Sequence, residues 1–461
     1  MHAQWIGQGT RGRPRPLRTI AVVAIAGAAV VGLSACSGGS GGGGSGGSTG
    51  NAAGSTPSAA PGNAEKGTIT WWASPITTSG TDPRTVLISA FEKAHPGITV
   101  TLQSAPNDTD TNRATLTTQI SGGGGPDVYM GDVIWPAQFG AHQLAVPLSQ
   151  YLPQSYWNTF ASGLVDGATY QKQVYGAPFF EDQGFLYYRS DLLKKEGLSV
   201  PTTWEQLVSD AKKVQAAGDV KYGYVFQGAD YEGATCNYME FLADAGGTVL
   251  NDDQTASTLD SDAAVKALTF EQSLVTDGIA PKASSTYQET QAMNAFVAGD
   301  ALFLRNWDYA YGQSQGSGSK VVGKVGVAPM PTFAGQPTPG YSNIGGWNLY
   351  VNPHSKNIAA DLTFIQWMTG TDAQTTLGTQ FSEIPTNASV RSSSAVQGKN
   401  PVLAIVSQTK LVPRPAQTPD YPQVSKAIYT AVNGVLAGSA QPKSAIATAS
   451  KQIDSALSGG L

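Results

Sequence analysis

The stretch GTITWWASPITTSGTDPRTVLISAFEKAHPGITVTL, residues 67–102, decides the fold class. Thr68-Ile69-Thr70-Trp71-Trp72 reads as a first strand, and Leu87, Phe91 and Ala94 share one face of a helix predicted from about Arg84 to Ala94. Pro96-Gly97 ends that helix, and Ile98-Thr99-Val100-Thr101-Leu102 alternates as a second strand. Successive strand residues point to opposite faces, so one of Trp71 and Trp72 faces a core. Working outward, a helix near Arg113–Ile120 leads to a third strand, Pro126-Asp127-Val128-Tyr129-Met130. Strand and helix alternate, which predicts an α/β fold with a largely parallel sheet.

The same grammar resumes further on. Gly184–Tyr188, Tyr222–Phe226, Ala301–Arg305, Val325–Ala328 and Trp347–Val351 read as strands, and Trp204–Ala217, Tyr238–Ala245 and Ile358–Met368 as helices. Thr203 is placed to cap the helix that the structural Trp204 opens. The tail from Tyr421 to Leu457 is Ala-rich and mostly helical, and no repeat of fixed period occurs. With 461 residues, two lobes and appendages are expected, each lobe large enough for its own core.

The N-terminus carries Arg11, Arg13, Arg15 and Arg18 before an apolar run from Ile20 to Gly32, the pattern of an export signal and too short for a mature membrane span. The run ends in Leu33-Ser34-Ala35-Cys36, which resembles the bacterial lipobox, so Cys36 is the expected lipidation site. Residues 37–66 form a Gly/Ser-rich tract with the composition of a flexible tether. Cys236 is then the remaining cysteine; it rules out an intramolecular disulfide and reads as a small buried residue rather than a nucleophile. Four of the 28 basic residues precede Cys36, where no acid occurs, so the rest of the chain carries 24 bases against 33 acids. That balance argues against nucleic acid as a partner. His2, His95, His142 and His354 are isolated, which gives no metal-binding spacing, and no cofactor is indicated.

Several stretches carry a resemblance. Phe91-Glu92-Lys93-Ala94-His95-Pro96-Gly97-Ile98-Thr99-Val100, Gly125-Pro126-Asp127-Val128-Tyr129, Leu186-Tyr187-Tyr188-Arg189-Ser190-Asp191-Leu192 and Val200-Pro201-Thr202-Thr203-Trp204 resemble family 1 extracellular solute-binding proteins, the maltose-binding-protein-like components of ABC importers. Within that family the trehalose/maltose-binding lipoproteins are most similar, through residues 131–136 (GDVIWP), 226–233 (FQGADYEG), 305–309 (RNWDY), 345–347 (GGW) and 412–415 (VPRP). The resemblance implies a two-lobed clamshell with the ligand in the cleft and hinge crossings near Ala177–Gln183, Val327–Thr332 and Phe381–Pro385. Lobe 1 would comprise residues 67–180 and 330–383, and lobe 2 residues 181–329 with a helical part at 384–461.

A sugar presents rims of hydroxyls and flat C–H faces, so its site needs charge-assisted acceptors and aromatic rings. Asp132 and Asp182 are the expected acceptors, with a helix N-cap as the other reading of Asp132. Arg414, between two prolines, is expected to donate to a hydroxyl pair, or else to make a surface ion pair. Trp307, Tyr309 and Trp347 are the candidate stacking platforms, core packing being the alternative for each. Trp307 and Tyr309 would share a face if they lay on a strand, and Gly345-Gly346 opens an apparent strand and would let backbone approach the ligand. Tyr231 and Glu232 complete the set through the resemblance alone. Related proteins often place a carboxylate just after the first strand, where Ala73-Ser74-Pro75-Ile76 supplies none.

The function this implies is capture of a disaccharide or short oligosaccharide, a trehalose- or maltose-like α-glucoside, on the extracytoplasmic face of the membrane. Partners would be ABC permease subunits with a cytoplasmic ATPase, the protein being a lipid-anchored monomer without enzymatic activity. The competing readings are a binder of a non-sugar solute and a secreted glycoside hydrolase, in which two carboxylates would flank the scissile bond.

Overall fold

The computed structural model describes residues 64, 66–77, 80–161 and 163–459. The export signal, Cys36 and all but the end of the Gly/Ser-rich tract lie outside the described residues. Among the described residues, no helix is long and apolar enough to cross a membrane.

Two mixed sheets organise the chain. In the larger, the strand order is Ile384–Pro385, Ala177–Gln183, Tyr341–Val351, Val128–Asp132, Gly67–Ala73, Ile98–Ser104, with Lys410–Val412 paired to the start of Tyr341–Val351. The smaller has the order Val325–Ala328, Phe185–Arg189, Ala301–Asn306, Tyr222–Val225. Gly67–Ala73 pairs in parallel with both Ile98–Ser104 and Val128–Asp132, as helical crossovers require. The sheets are nevertheless not largely parallel. Tyr341–Val351 runs antiparallel to Val128–Asp132 and to Ala177–Gln183, and Phe185–Arg189 runs antiparallel to both its neighbours. These are the strands next to the points where the chain passes between the sheets, so no helix turns them back into a parallel course.

The first passage is a single residue. Gly184 joins Ala177–Gln183 of the larger sheet to Phe185–Arg189 of the smaller, and a Cβ there would lie 2.7 Å from Arg305 Nη2. The chain returns between Ala328 and Tyr341. After Ile384–Pro385 it runs through short helices whose Val390, Val396 and Val402 pack with Phe185 and Tyr187 of the smaller sheet.

The helices follow the apolar spacing. Asp82 caps Pro83–Ala94 by accepting the Arg84 N–H, and Leu87 and Phe91 sink into a core with Ile69, Trp71, Phe179, Phe364 and Ile365. Trp71 is fully buried, while Trp72 donates Nε1–H to Asn112 Oδ1 at 2.7 Å. Thr203 accepts the Gln206 N–H, and Trp204 is buried with Nε1–H on Asp244. The helix predicted at Tyr238–Ala245 begins six residues earlier, at Glu232. Nearly all of Glu232–Asp244 is buried, so small and polar residues line it on every side and no apolar stripe announces its first turns.

Candidate functional site

A cavity of about 140 Å³ lies between the two sheets, and all ten candidate residues line it. Asp132, Asp182, Gly345, Gly346 and Trp347 come from the larger sheet; Tyr231, Glu232, Trp307 and Tyr309 from elements around the smaller one; Arg414 from the segment after Lys410–Val412.

Register explains the first group. Trp347 lies directly opposite Asp132 on one neighbouring strand and Phe180 on the other. Residues directly opposite in an antiparallel pair project from the same face, so the half-buried indole, the carboxylate and the phenyl ring share one wall. Gly345 and Gly346 sit inside the strand Tyr341–Val351 rather than at its start. A Cβ on Gly345 would lie 3.1 Å from Asp182 Cβ and 3.2 Å from Trp307 Cζ3, so the space it leaves is filled by the edge of Trp307 instead of by approaching ligand. Gly346 has φ +125°, and a Cβ there would meet the Phe180 carbonyl oxygen at 2.6 Å.

Trp307 and Tyr309 do not share a strand face. The strand Ala301–Asn306 ends one residue earlier, because Asn306 Oδ1 accepts the Trp307 N–H at 2.9 Å and a turn follows in which the Ala310 N–H donates to the Trp307 carbonyl at 3.1 Å. Both rings reach the cavity from that turn. One face of Trp307 is covered by the Arg305 guanidinium, 4.0 Å from the ring centroid, and Arg305 in turn bonds Glu240 at 2.6 Å.

Arg414 is placed differently from the expectation of a free donor. Nη2 donates to Asp132 Oδ1 at 2.7 Å and Nη1 to Glu232 Oε1 at 2.9 Å, and Nε is left without a partner. The ion pair is buried rather than on the surface. Asp132 also accepts the Ile134 N–H at 3.2 Å, a tie within its own loop; the helix beyond, Pro136–Ala141, has Trp135 in the cap position. Glu232 is saturated: besides Arg414 it accepts from Tyr421 at 2.7 Å and Ser425 at 2.6 Å. Burial raises the Glu232 carboxyl and Arg414 opposes that rise. These donors occupy both its oxygens, which suits Glu232 to holding Arg414 in place.

The atoms still without partners are therefore informative. Asp182 Oδ1, the Tyr231 hydroxyl and Arg414 Nε are buried on cavity residues without a hydrogen-bond partner. Burial, with the charges of Asp132 and Glu181 adding to it, pushes Asp182 up to about 7. Burial also pushes the Tyr231 hydroxyl well up, and Glu289 adds to the effect. A solute bearing hydroxyls could satisfy all of these atoms.

Other lining residues escaped the sequence reading. Ser74–Thr77 follow the first strand and offer hydroxyls where no carboxylate stands, although the Ser74 hydroxyl is already committed to the Pro106 carbonyl at 2.7 Å. Gln288, Glu289 and Thr290 form the N-terminus of the helix Glu289–Val297, and Glu289 accepts the Trp307 indole N–H at 3.4 Å. Gln291 Oε1 accepts the Gln288 N–H at 3.1 Å, but glutamine is not a favoured cap residue, so that helix start carries no clear sequence signal. Cys236 is part of the wall, and burial pushes its thiol far up, which makes it inert. Arg113 pairs with Asp110 at 3.3 Å and does not line the cavity.

Residues 74–375 match the family model described as bacterial extracellular solute-binding protein. The chain is 36% identical over 368 residues to the "Probable ABC transporter-binding protein" of Deinococcus radiodurans, covering 77% of this chain and 86% of that one. The maltose-bound structure of MalE3 from T. maritima superposes with TM-score 0.79 at 31% identity over 84% of this chain and 98% of that one. A solute-binding protein of an ABC transporter from Thermotoga lettingae, bound with α-D-tagatose, gives TM-score 0.76 at 27% identity over 85% and 99% of the two chains. With its two lobes and its cavity between two sheets, this chain belongs to the bacterial extracellular solute-binding proteins that serve ABC transporters.

Proposed function

We propose that the protein captures a trehalose- or maltose-like α-glucoside, a disaccharide or short oligosaccharide, and presents it to an ABC permease driven by a cytoplasmic ATPase. The observation that carries this reading is the wall on which Trp347 and Asp132 stand opposite each other, with Asp182 and Tyr231 offering partnerless polar atoms to the same cavity. An indole face suits the C–H face of a pyranose, and the polar atoms suit its hydroxyl rim. The maltose held by the T. maritima relative supports the α-glucoside class. Lobe 1 is read as residues 67–180 and 330–383, and lobe 2 as 181–329 and 384–461. Solute bound to one lobe favours closure because the other lobe adds its hydrogen bonds only when shut. The closed pair of lobes is then the surface the permease meets. The protein acts as a monomer held to the extracytoplasmic membrane face through lipid on Cys36, and it releases its solute unaltered.

Calorimetric titration of the purified protein with trehalose, maltose, maltotriose, lactose and a polyol tests this reading, with chromatography of each mixture afterwards. Saturable heat with an α-glucoside and intact sugar is the expected result. Cleavage products would indicate a hydrolase, and heat with the polyol alone a non-sugar solute.

A further inference from the structure

Asp182, Asp308 and Glu383 come from three separate segments: the strand Ala177–Gln183, the turn after Ala301–Asn306 and the residue before Ile384–Pro385. The topology brings one carboxylate oxygen of each within 4.8 Å of the others. Asp308 and Glu383 have no exposed surface, and Asp182 is 7% exposed. Among the described residues, no Lys, Arg or His forms an ion pair with any of the three. Asp308 Oδ2 accepts the Ile384 N–H at 2.8 Å. Asp182 Oδ1, Asp308 Oδ1 and both oxygens of Glu383 receive no amide, hydroxyl or cationic donor, and the Asp182 and Asp308 carboxyls lie against each other.

Four donor-less oxygens on three buried acids are costly as they stand, because a buried charge must be paired or neutralised. Each proton added would satisfy one contact and leave the remaining oxygens bare, whereas a divalent ion accepts electron pairs from all of them together. We propose that Asp182, Asp308 and Glu383 form a calcium site at the junction of the two sheets. Hard carboxylate oxygens without nitrogen or sulfur select Ca²⁺ or Mg²⁺ over zinc or copper. Mg²⁺ dehydrates reluctantly and is seldom held by a cage made wholly of protein groups, so a buried set of three carboxylates favours Ca²⁺. Bound there, the ion would add a shared tie to three segments already joined by the pairing of Ile384–Pro385 with Ala177–Gln183 and by the Asp308 bond to the Ile384 N–H. Asp182 also lines the solute cavity, which gives the ion its way in. The site does not depend on which solute the cavity takes.

The test is calorimetric titration of chelator-treated protein with calcium chloride, and separately with magnesium chloride, alongside melting curves. One calcium per chain is expected, with a dissociation constant of the order of 0.1–1 mM or tighter, the range of extracellular calcium modules. Calcium should raise the melting temperature, EGTA should reverse the rise, and magnesium should do neither. The Asp308→Asn, Glu383→Gln double variant should lose both effects. Wild-type protein that takes up no calcium overturns the proposal, as does a folded double variant that binds calcium as tightly as wild type. Should the double variant fail to fold, long-wavelength anomalous difference maps of calcium-soaked wild-type crystals decide: a peak among the three carboxylates supports the site, and its absence there overturns it.

Discussion

Arg414 Nη2 donates to Asp132 Oδ1 at 2.7 Å, a bond that joins the segment after Lys410–Val412 to the end of a central strand of the larger sheet. The same guanidinium holds Glu232, at the start of the buried helix Glu232–Asp244, so one cation orders two carboxylates of the cavity wall. Replacing Arg414 by Met would leave both acids buried without their cation. Breaking one partner out of a buried pair costs about 3–5 kcal/mol. Urea unfolding of Arg414→Met is expected to show a loss of that size together with loss of solute binding. Arg414→Lys, which keeps the charge but not the fork, is expected to fall between the two.

Trp347 is half-buried and faces the cavity, so its removal should fall on binding more than on folding. Trp347→Ala is expected to weaken solute binding by about 2 kcal/mol or more, roughly thirtyfold in Kd. Trp347→Phe keeps a flat face and should recover most of that loss. Titration calorimetry of the two variants against the best wild-type sugar measures the difference, and near-wild-type melting temperatures would show that the fold is retained.

The two neighbouring glycines should respond differently to Ala. Gly346→Ala forces a side chain into φ +125° and against the Phe180 carbonyl, and the strained backbone alone costs of order 1–3 kcal/mol. A lowered melting temperature is expected. Gly345→Ala meets the Trp307 ring edge at 3.2 Å, so it should displace that ring and weaken binding while changing stability less. Thermal melts and sugar titrations of both variants separate the two effects.

Asp361 gives a pH dependence away from the site. It is fully buried on the helix Ile358–Met368, its Oδ2 accepts the Ser355 hydroxyl and its Oδ1 has no partner. Burial, opposed by the Ser355 bond, pushes its carboxyl up to about 7. In the unfolded chain it titrates in the ordinary carboxylate range, near 4. Between those values the folded protein holds a proton that the unfolded chain has released, so this group's contribution falls as pH rises through that window. Asp361→Asn should flatten that part of the stability profile and make the variant more stable than wild type at pH 8, by up to about 4 kcal/mol. Denaturant unfolding at pH 5 and pH 8 checks the sign.

Much of the local architecture was legible because it depends on neighbours in sequence. The alternation in Thr68–Trp72, the apolar face of Ile358–Met368 and the Thr203 cap follow from side-chain periodicity and one hydrogen bond. The short stretches around Asp132, Trp307 and Trp347 likewise singled out residues that the fold gathers around one cavity. Strand spacing does not hold at Trp307 and Tyr309, because the Asn306 side chain takes the next N–H and turns the chain.

What the sequence determined by itself was the order of strands and helices and the set of side chains suited to an uncharged polar solute. Only the tertiary structure decided which of those side chains remain available. Arg414 became a buried clasp because Asp132 and Glu232 converge on it from distant segments, and Trp307 lost one face to Arg305. Asp182, Asp308 and Glu383 became one acidic cluster because the passages between the sheets bring three segments, a strand, a turn and a strand start, to one point. The reason is physical: hydrogen-bond partnership and the cost of a buried charge depend on groups that meet through space, and sequence spacing does not encode those meetings.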